Sequence, residues 1–503
     1  MNYKCTRNET EQVSAAQAIA QGISSDGGLF VPETFPKYDA SVLDALQNAS
    51  YIERAERILG DFLTDFTAEE IRDCAEKAYG DGKFSGGHPA PLASVQTGFA
   101  QVNLLELWHG PTCAFKDMAL QLLPHLLTRS LRKIQSDKTA VILVATSGDT
   151  GKAALEGFKG VDGTRIMVFY PQNGVSAMQK LQMTTQEGGN VAVCAIEGNF
   201  DDAQTGVKKI FTDAETKAAL ERNGMMFSSA NSINWGRLLP QIVYYFSAYC
   251  DLMKAGKVQN GQEINIVVPT GNFGNILAAY YAKKMGLPVH KLICASNANN
   301  VLTEFLRTGV YDRNRRFFAT ISPSMDILVS SNLERLLYDL TGRDSAKVSG
   351  WMQQLAETGR YEVDAAVLHA LRGLFYAGFC DDTQTAETIG GVYQSSHYVS
   401  DTHTAVALRV YQQYLAETED QGTPAVVVST ANPYKFATSV LLAVDHAKAV
   451  DSDLENVRTL HEITGAPIPQ PIAELAGKPV RFAQTCIAGD MKRSVLEMLD
   501  VEE

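Results

Sequence analysis

Lys116 stands where the mostly apolar run Val102 to Leu107 has passed through His109-Gly110-Pro111-Thr112-Cys113-Ala114-Phe115 and a helix begins, Lys116-Asp117-Met118-Ala119-Leu120-Gln121-Leu122-Leu123. A lysine at a strand-to-helix handover sits at the mouth of a fold. Partial desolvation there suits its amine to Schiff-base chemistry with carbonyl compounds. Taken alone, a solvent-exposed lysine in an ordinary first turn is the simpler account, since the chain holds 44 Lys and Arg.

Four other segments change that balance. Pro269-Thr270-Gly271-Asn272-Phe273-Gly274-Asn275 lies between a strand pattern and a helix pattern. Its two glycines let backbone N–H groups converge, and the following helix adds its positive N-terminal end, so a phosphate is well held there. No Gly-Lys-Ser/Thr follows and the spacing is not G-x-G-x-x-G, which disfavours a nucleoside triphosphate and a dinucleotide. Ser147-Gly148-Asp149-Thr150-Gly151 offers small hydroxyls and N–H groups at a helix start. That suits a carboxylate or phosphate, or simply an N-cap. Ser429-Thr430 closes a late strand, where a hydroxyl can meet a ring nitrogen, and Ser232, Asn234 and Arg237 precede or open a long helix in a pattern suited to phosphate. Each segment alone reads as a turn or a cap. A Schiff-base lysine, a phosphate cradle and a ring-nitrogen partner together are what pyridoxal phosphate requires.

The elements that position these loops alternate. Strands are expected at Thr139–Ala145, Arg165–Tyr170, Val191–Ile196, Ile264–Pro269, Lys291–Ala295 and Ala425–Val428. Helices between them are expected at Lys152–Phe158, Ala177–Gln186, Asp201–Thr212, Ile233–Ala255 and Asn275–Met285. Such alternation implies right-handed crossovers and an open, mostly parallel, doubly wound α/β sheet with helices on both faces and ligands at the carboxyl ends of its strands. Residues 1–95 read as a mainly helical N-terminal domain and 96–440 as the α/β core, in two subdomains with a mainly helical insertion near 300–400. Residues 441–503 read as a helical segment packed on that core.

At 503 residues more than one domain is expected, and 45% hydrophobic with 20% charged residues is ordinary globular composition. A net charge of −13 argues against nucleic acid or anionic membrane as partner. The start has no apolar stretch of a secretion signal, and no apolar run is long enough to span a bilayer. Eight scattered cysteines without a C-x-x-C pair suit a reducing compartment, with no disulfide framework and no metal site. The expected setting is cytoplasmic.

The motifs in this order resemble the threonine synthase family, in particular its longer branch of enteric bacteria and fungi. The resemblance runs nearly end to end. It includes Gly27–Glu33, His109–Asp117, Thr146–Gly151, Gly271–Asn275, Ser322–Ile327, Ser331–Arg335, Asp401–Ala405 and Ser429–Pro433. It implies a fold type II pyridoxal-phosphate enzyme in which Lys116 is the Schiff-base lysine. Gly271, Asn272, Phe273, Gly274 and Asn275 would hold the cofactor phosphate, and Thr430 would partner the pyridine nitrogen. Ser147, Gly148, Asp149 and Thr150 would hold the substrate carboxylate near the cofactor's 3′ oxygen, and Ser232, Asn234 and Arg237 the substrate phosphate. Related fold type II enzymes often carry Asn where this chain has Asp149, and the family often has His where it has Asn432. His403 reads as a structural residue at a helix start. The implied reaction is O-phospho-L-homoserine plus water giving L-threonine and phosphate, by a carbon–oxygen lyase that is a monomer or homodimer. Two alternatives stand beside it: a phospholyase releasing 2-oxobutyrate and ammonia from the same substrate, and a non-catalytic phosphate-ligand-binding protein.

Overall fold

A computed structural model describes residues 1–80, 82–146, 148–172 and 175–501. Its centre is the helix Trp235–Lys254, in which every residue except Asp251 and Lys254 is buried. A helix apolar all round has no solvent face and must be enclosed by other elements. The N-terminal helix Tyr51–Phe62, the helix Gly274–Met285 and the turn Asp117–Leu120 all pack on it.

Two open sheets carry the chemistry-bearing loops. The larger runs, in spatial order, Phe375–Phe379, Val289–Ser296, Ile264–Pro269, Ala425–Ser429, Gln101–Glu106 and Leu92–Gln96. All its pairings are parallel except the last, where Leu92–Gln96 returns antiparallel along Gln101–Glu106. The smaller sheet is wholly parallel: Thr485–Ile487, Val191–Glu197, Thr164–Pro171, Thr139–Ala145 and Met225–Ser228. Its central strands are Val/Ile/Leu runs buried on both faces, as a parallel sheet covered by helices requires. The mostly parallel doubly wound architecture is as expected.

Three segments differ from the sequence expectation. The N-terminal region holds the helices Ala40–Gln47, Tyr51–Phe62 and Ala68–Tyr79, and also a three-stranded antiparallel sheet of Asn2–Cys5, Gln12–Ser14 and Phe30–Pro32. The span from 300 to 400 is mainly helical but contributes Phe375–Phe379 to the edge of the larger sheet. Near the C-terminus, Thr485–Ile487 adds an edge strand to the smaller sheet within a segment expected to be helical. These strands are three to five residues long, too short for alternation to declare them.

Candidate active site

Lys116 is fixed by two segments from opposite ends of the chain. The strands Gln101–Glu106 and Ala425–Ser429 pair in parallel with Glu106 opposite Ser429, so both chains leave the sheet at the same edge. Beyond that edge they stay zipped. Leu107 N–H donates to the Ser429 carbonyl (3.0 Å), Phe115 N–H to the Thr430 carbonyl (2.8 Å) and Asn432 N–H to the Cys113 carbonyl (3.0 Å). Thr430 and Lys116 are thereby held side by side. The turn is closed from within by Asp117, whose carboxylate accepts from Thr112 N–H (2.8 Å) and Thr112 Oγ1 (2.7 Å). Gly110 has to be glycine, because a Cβ there would sit 2.6 Å from Asp117 Oδ2. Burial pushes the Asp117 carboxyl up to about 6 against these hydrogen bonds.

Lys116 keeps a partial opening to solvent, and its amine lies 4.7 Å from the centre of the Phe115 ring. The protein packed around the amine lowers its pKa to about 8. The negative charge of Asp149 opposes this shift, and the positive charges of Arg237 and Lys435 add to it. Asp149, buried at the start of the helix Asp149–Phe158, pairs with Lys435 Nζ (2.9 Å). It also accepts from Gln179 Nε2 (3.0 Å) and Ser324 Oγ (3.3 Å). Burial alone would raise its carboxyl; the Lys435 and Lys116 charges instead hold it well below the usual carboxylate range.

The loop after Ile264–Pro269 forms a cradle. Phe273 takes the left-handed conformation (φ 63°) and hands over to the helix Gly274–Met285, whose free N–H groups open that end. A Cβ on Gly274 would lie 3.5 Å from Asn332 Nδ2, 3.7 Å from Gln241 Nε2 and 3.7 Å from Ser232 Cβ. Three polar side chains therefore converge on the missing Cβ. Asn275 fixes the floor: its Oδ1 accepts from Tyr244 (2.6 Å) and Tyr245 (2.5 Å), while its buried Nδ2 has no partner among the described residues. Arg237, buried and charge-adjacent to Lys116, spends one N–H on the Ala230 carbonyl, and its buried Nε has no partner among the described residues. Buried donors left over around an open helix end are what a phosphate-bearing ligand would satisfy. These residues fit pyridoxal phosphate.

Other expected site residues fall out differently. Ser147 lies outside the described residues. Gly148 adopts φ 138° with its Cα against the Gln179 amide, a Cβ there meeting Gln179 at 2.3 Å. Thr146 Oγ1 holds the loop by accepting from Gly148 N–H (3.0 Å) and Gly151 N–H (2.9 Å). Thr150 is half-buried in the first turn of that helix, and Ser232 accepts from Asn332 Nδ2 (3.1 Å). The expectation for Asn234 is corrected. Its Nδ2 donates to the Ile19 and Ser229 carbonyls (both 2.9 Å) and its Oδ1 caps Gly236 N–H (2.8 Å), so no donor remains for a ligand. His403 at its helix start is held on both ring nitrogens: Nδ1 meets Asp401 Oδ1 (3.0 Å) and Nε2 accepts from Ser324 N–H (3.2 Å). Sequence reasoning missed Lys435, Asp117, Gln241 and Asn332. Lys435 and Asn332 each lie within, or two residues beyond, a motif already singled out.

Fold and site together define a pyridoxal-phosphate-dependent enzyme of fold type II. Comparison with known proteins narrows this. Family models described as threonine synthase N terminus, pyridoxal-phosphate dependent enzyme and threonine synthase C-terminal match residues 2–79, 87–431 and 404–488. Threonine synthase of Pseudomonas aeruginosa is 39% identical over 91% of this chain and 93% of its own length. That of Saccharomyces cerevisiae is 36% identical over 87% and 88%. A PLP-bound threonine synthase from Brucella melitensis superposes with a TM-score of 0.86 at 37% identity, covering 99% of both chains. The yeast structure gives 0.88 at 33% identity, again over 99% of each. Human threonine synthase-like 1 is 41% identical over 86% of this chain; the chain spans 58–65% of the length of the relatives bearing that name. The chain belongs to the threonine synthase family.

Proposed function

We propose that this chain converts O-phospho-L-homoserine and water to L-threonine and phosphate. The observation that carries the reading is a lysine amine lowered to about 8 beside a built phosphate cradle and a buried arginine with a donor unpartnered among the described residues. Pyridoxal phosphate, when bound, supplies the aldehyde that captures amines and the electron-poor ring that takes up charge from Cα. Gly271, Asn272, Phe273, Gly274 and Asn275 would hold its phosphate, and the Thr430 hydroxyl would partner its ring nitrogen. A neutral hydroxyl, unlike a carboxylate, would not hold a ring nitrogen protonated. The Lys116 amine is the base that would take the Cα proton and then a Cβ proton. One proton returns to Cγ as phosphate leaves; water then gives its hydroxyl to Cβ and its proton to Cα, and the remaining proton goes to the departing phosphate. Arg237 would orient the departing phosphate; Gly148, Asp149 and Thr150 would border the substrate carboxylate. An amine with a pKa near 8 serves such exchanges at neutral pH far better than one at the ordinary lysine value.

A second reading is favoured by one observation: relatives at 39–42% identity bear the name threonine synthase-like 1. In it the same site releases 2-oxobutyrate, ammonia and phosphate. The cytoplasmic setting belongs to the proposal and is supported by eight cysteines, all unpaired as thiols and seven of them buried. Among the described residues no helix is long and apolar enough to cross a membrane. Product analysis of cofactor-loaded protein with O-phosphohomoserine decides. Threonine and phosphate in equal amounts, both lost in Lys116→Ala, support the main reading. Phosphate with 2-oxobutyrate replaces it with the second, and no phosphate release rejects both.

A further inference from the structure

We propose that Lys435 and Asp149 form a buried counter-charge pair that sets the protonation of Lys116, Lys435 acting both by its own charge and by holding Asp149. The inference rests on Lys116 being the reacting amine. Lys435 is 1% exposed, in the short turn Pro433–Phe436 that follows Thr430. Its ammonium donates to the Thr112 carbonyl (2.9 Å) and to Asp149 Oδ1 (2.9 Å). One cation thus ties the Lys116 loop to the helix that begins with Asp149. Gln179 and Ser324 supply two more donors to the same carboxylate. A carboxylate with three donors is held ionised and in one orientation.

The groups facing Lys116 make the balance explicit. Asp149 is the anion that favours its charged form; Arg237 and Lys435 are the cations that disfavour it. Asp117, the adjacent carboxyl, is occupied by Thr112. His403, which neighbours Asp149, accepts from Ser324 N–H at Nε2 and meets Asp401 Oδ1 at Nδ1. Removing either member of the pair therefore shifts Lys116 in opposite directions. Without the Asp149 charge, two cations face Lys116 unopposed, and its protonated form loses its partner. Without Lys435, a like charge disappears and Asp149 turns its whole charge on Lys116.

The test is a pH titration of the visible absorbance of the cofactor bound through Lys116 in the holoenzyme. Asp149→Asn is expected to lower the midpoint by about one pH unit, a tenfold change in the protonation ratio. Lys435→Met is expected to raise it by a similar amount, and Lys435→Arg to return it toward wild type. Midpoints that move together, or do not move, overturn the proposal. Circular dichroism reports whether each variant folds; if Lys435→Met does not, the sign in Asp149→Asn decides alone, a midpoint that rises or stays put counting against the pair. The titration needs only bound cofactor, so it stands whether the product is threonine or 2-oxobutyrate.

Discussion

A single amine at Lys116 takes and returns several protons only if it is neutral in an appreciable fraction of molecules. With its pKa lowered to about 8, roughly one amine in ten is neutral at pH 7, against about one in three thousand at the ordinary lysine value. The amine acts as a base when unprotonated, so turnover falls as pH drops through this value. The expected profile of kcat has an acid limb centred near pH 8, read from initial rates of phosphate release. A limb near 10 would place Lys116 in a wetter site than the one described. Asp149 adds a stability consequence with the opposite sense. Its folded pKa is depressed, so its stabilisation is complete above the ordinary aspartate value near 3.9 and is lost as pH falls further. Acid unfolding is expected to separate wild type from Asp149→Asn at neutral pH, where the variant leaves Lys435 buried without its partner at a cost of about 3–5 kcal/mol. The two should converge on acidification. A gap independent of pH would mean that Asp149 is not ionised in the folded protein.

Elements rather than side chains decide how close Asp149 comes to Lys116. The helix Asp149–Phe158 packs on the turn Asp117–Leu120 through Gly157, where a Cβ would lie 2.0 Å from the Leu120 carbonyl oxygen. Gly157→Ala must push these two elements apart. The overpacking costs about 1–3 kcal/mol, which outweighs the roughly 1 kcal/mol that alanine gains over glycine inside a helix. The expected result is a lower melting temperature together with a fall in kcat. Gly350→Ala is the control, since its helix Ser345–Thr358 leaves open space there and the change should stabilise slightly. Equal effects at both positions would show that backbone propensity, not helix approach, dominates. Gly157 also marks the limit of what the sequence discloses. The strands Ile264–Pro269 and Thr139–Ala145 and the helix Trp235–Lys254 were readable because long apolar runs and caps declare themselves locally. The loops bearing Lys116, Gly271 and Thr430 followed from being strand ends. Gly157 looks like any helical glycine until Leu120 is placed against it. Lys435 looks like a surface lysine until Asp149, 286 positions earlier in the numbering, is brought to 2.9 Å. Pairings across such separations leave no periodic trace.

At the scale of the whole molecule, a fully buried arginine ties the site to the N-terminal region. Arg335 donates from Nε to the Phe30 carbonyl (3.0 Å) in the N-terminal sheet. Its other nitrogens reach Asn332 Oδ1 (2.6 Å) and the Ile233 carbonyl (2.6 Å). Asn332 lines the cradle at Gly274, and Ile233 follows Ser232, so a single guanidinium fixes two walls of the phosphate site against the N-terminal strands. No local pattern announces such a residue, because a buried arginine reads in sequence as a charged surface position. Arg335→Met keeps the apolar stem but leaves three buried acceptors without donors, each costing about 1–3 kcal/mol. Both the melting temperature and the affinity for pyridoxal phosphate are expected to fall, the second read by absorbance titration of cofactor into the cofactor-free protein. Ser50→Ala provides the comparison, since it removes only the capping box of the helix Tyr51–Phe62 and costs about 1 kcal/mol. If the N-terminal region served merely to add stability, the two variants would differ in melting temperature alone. A loss of cofactor affinity confined to Arg335→Met would show that the N-terminal sheet holds the phosphate site in shape.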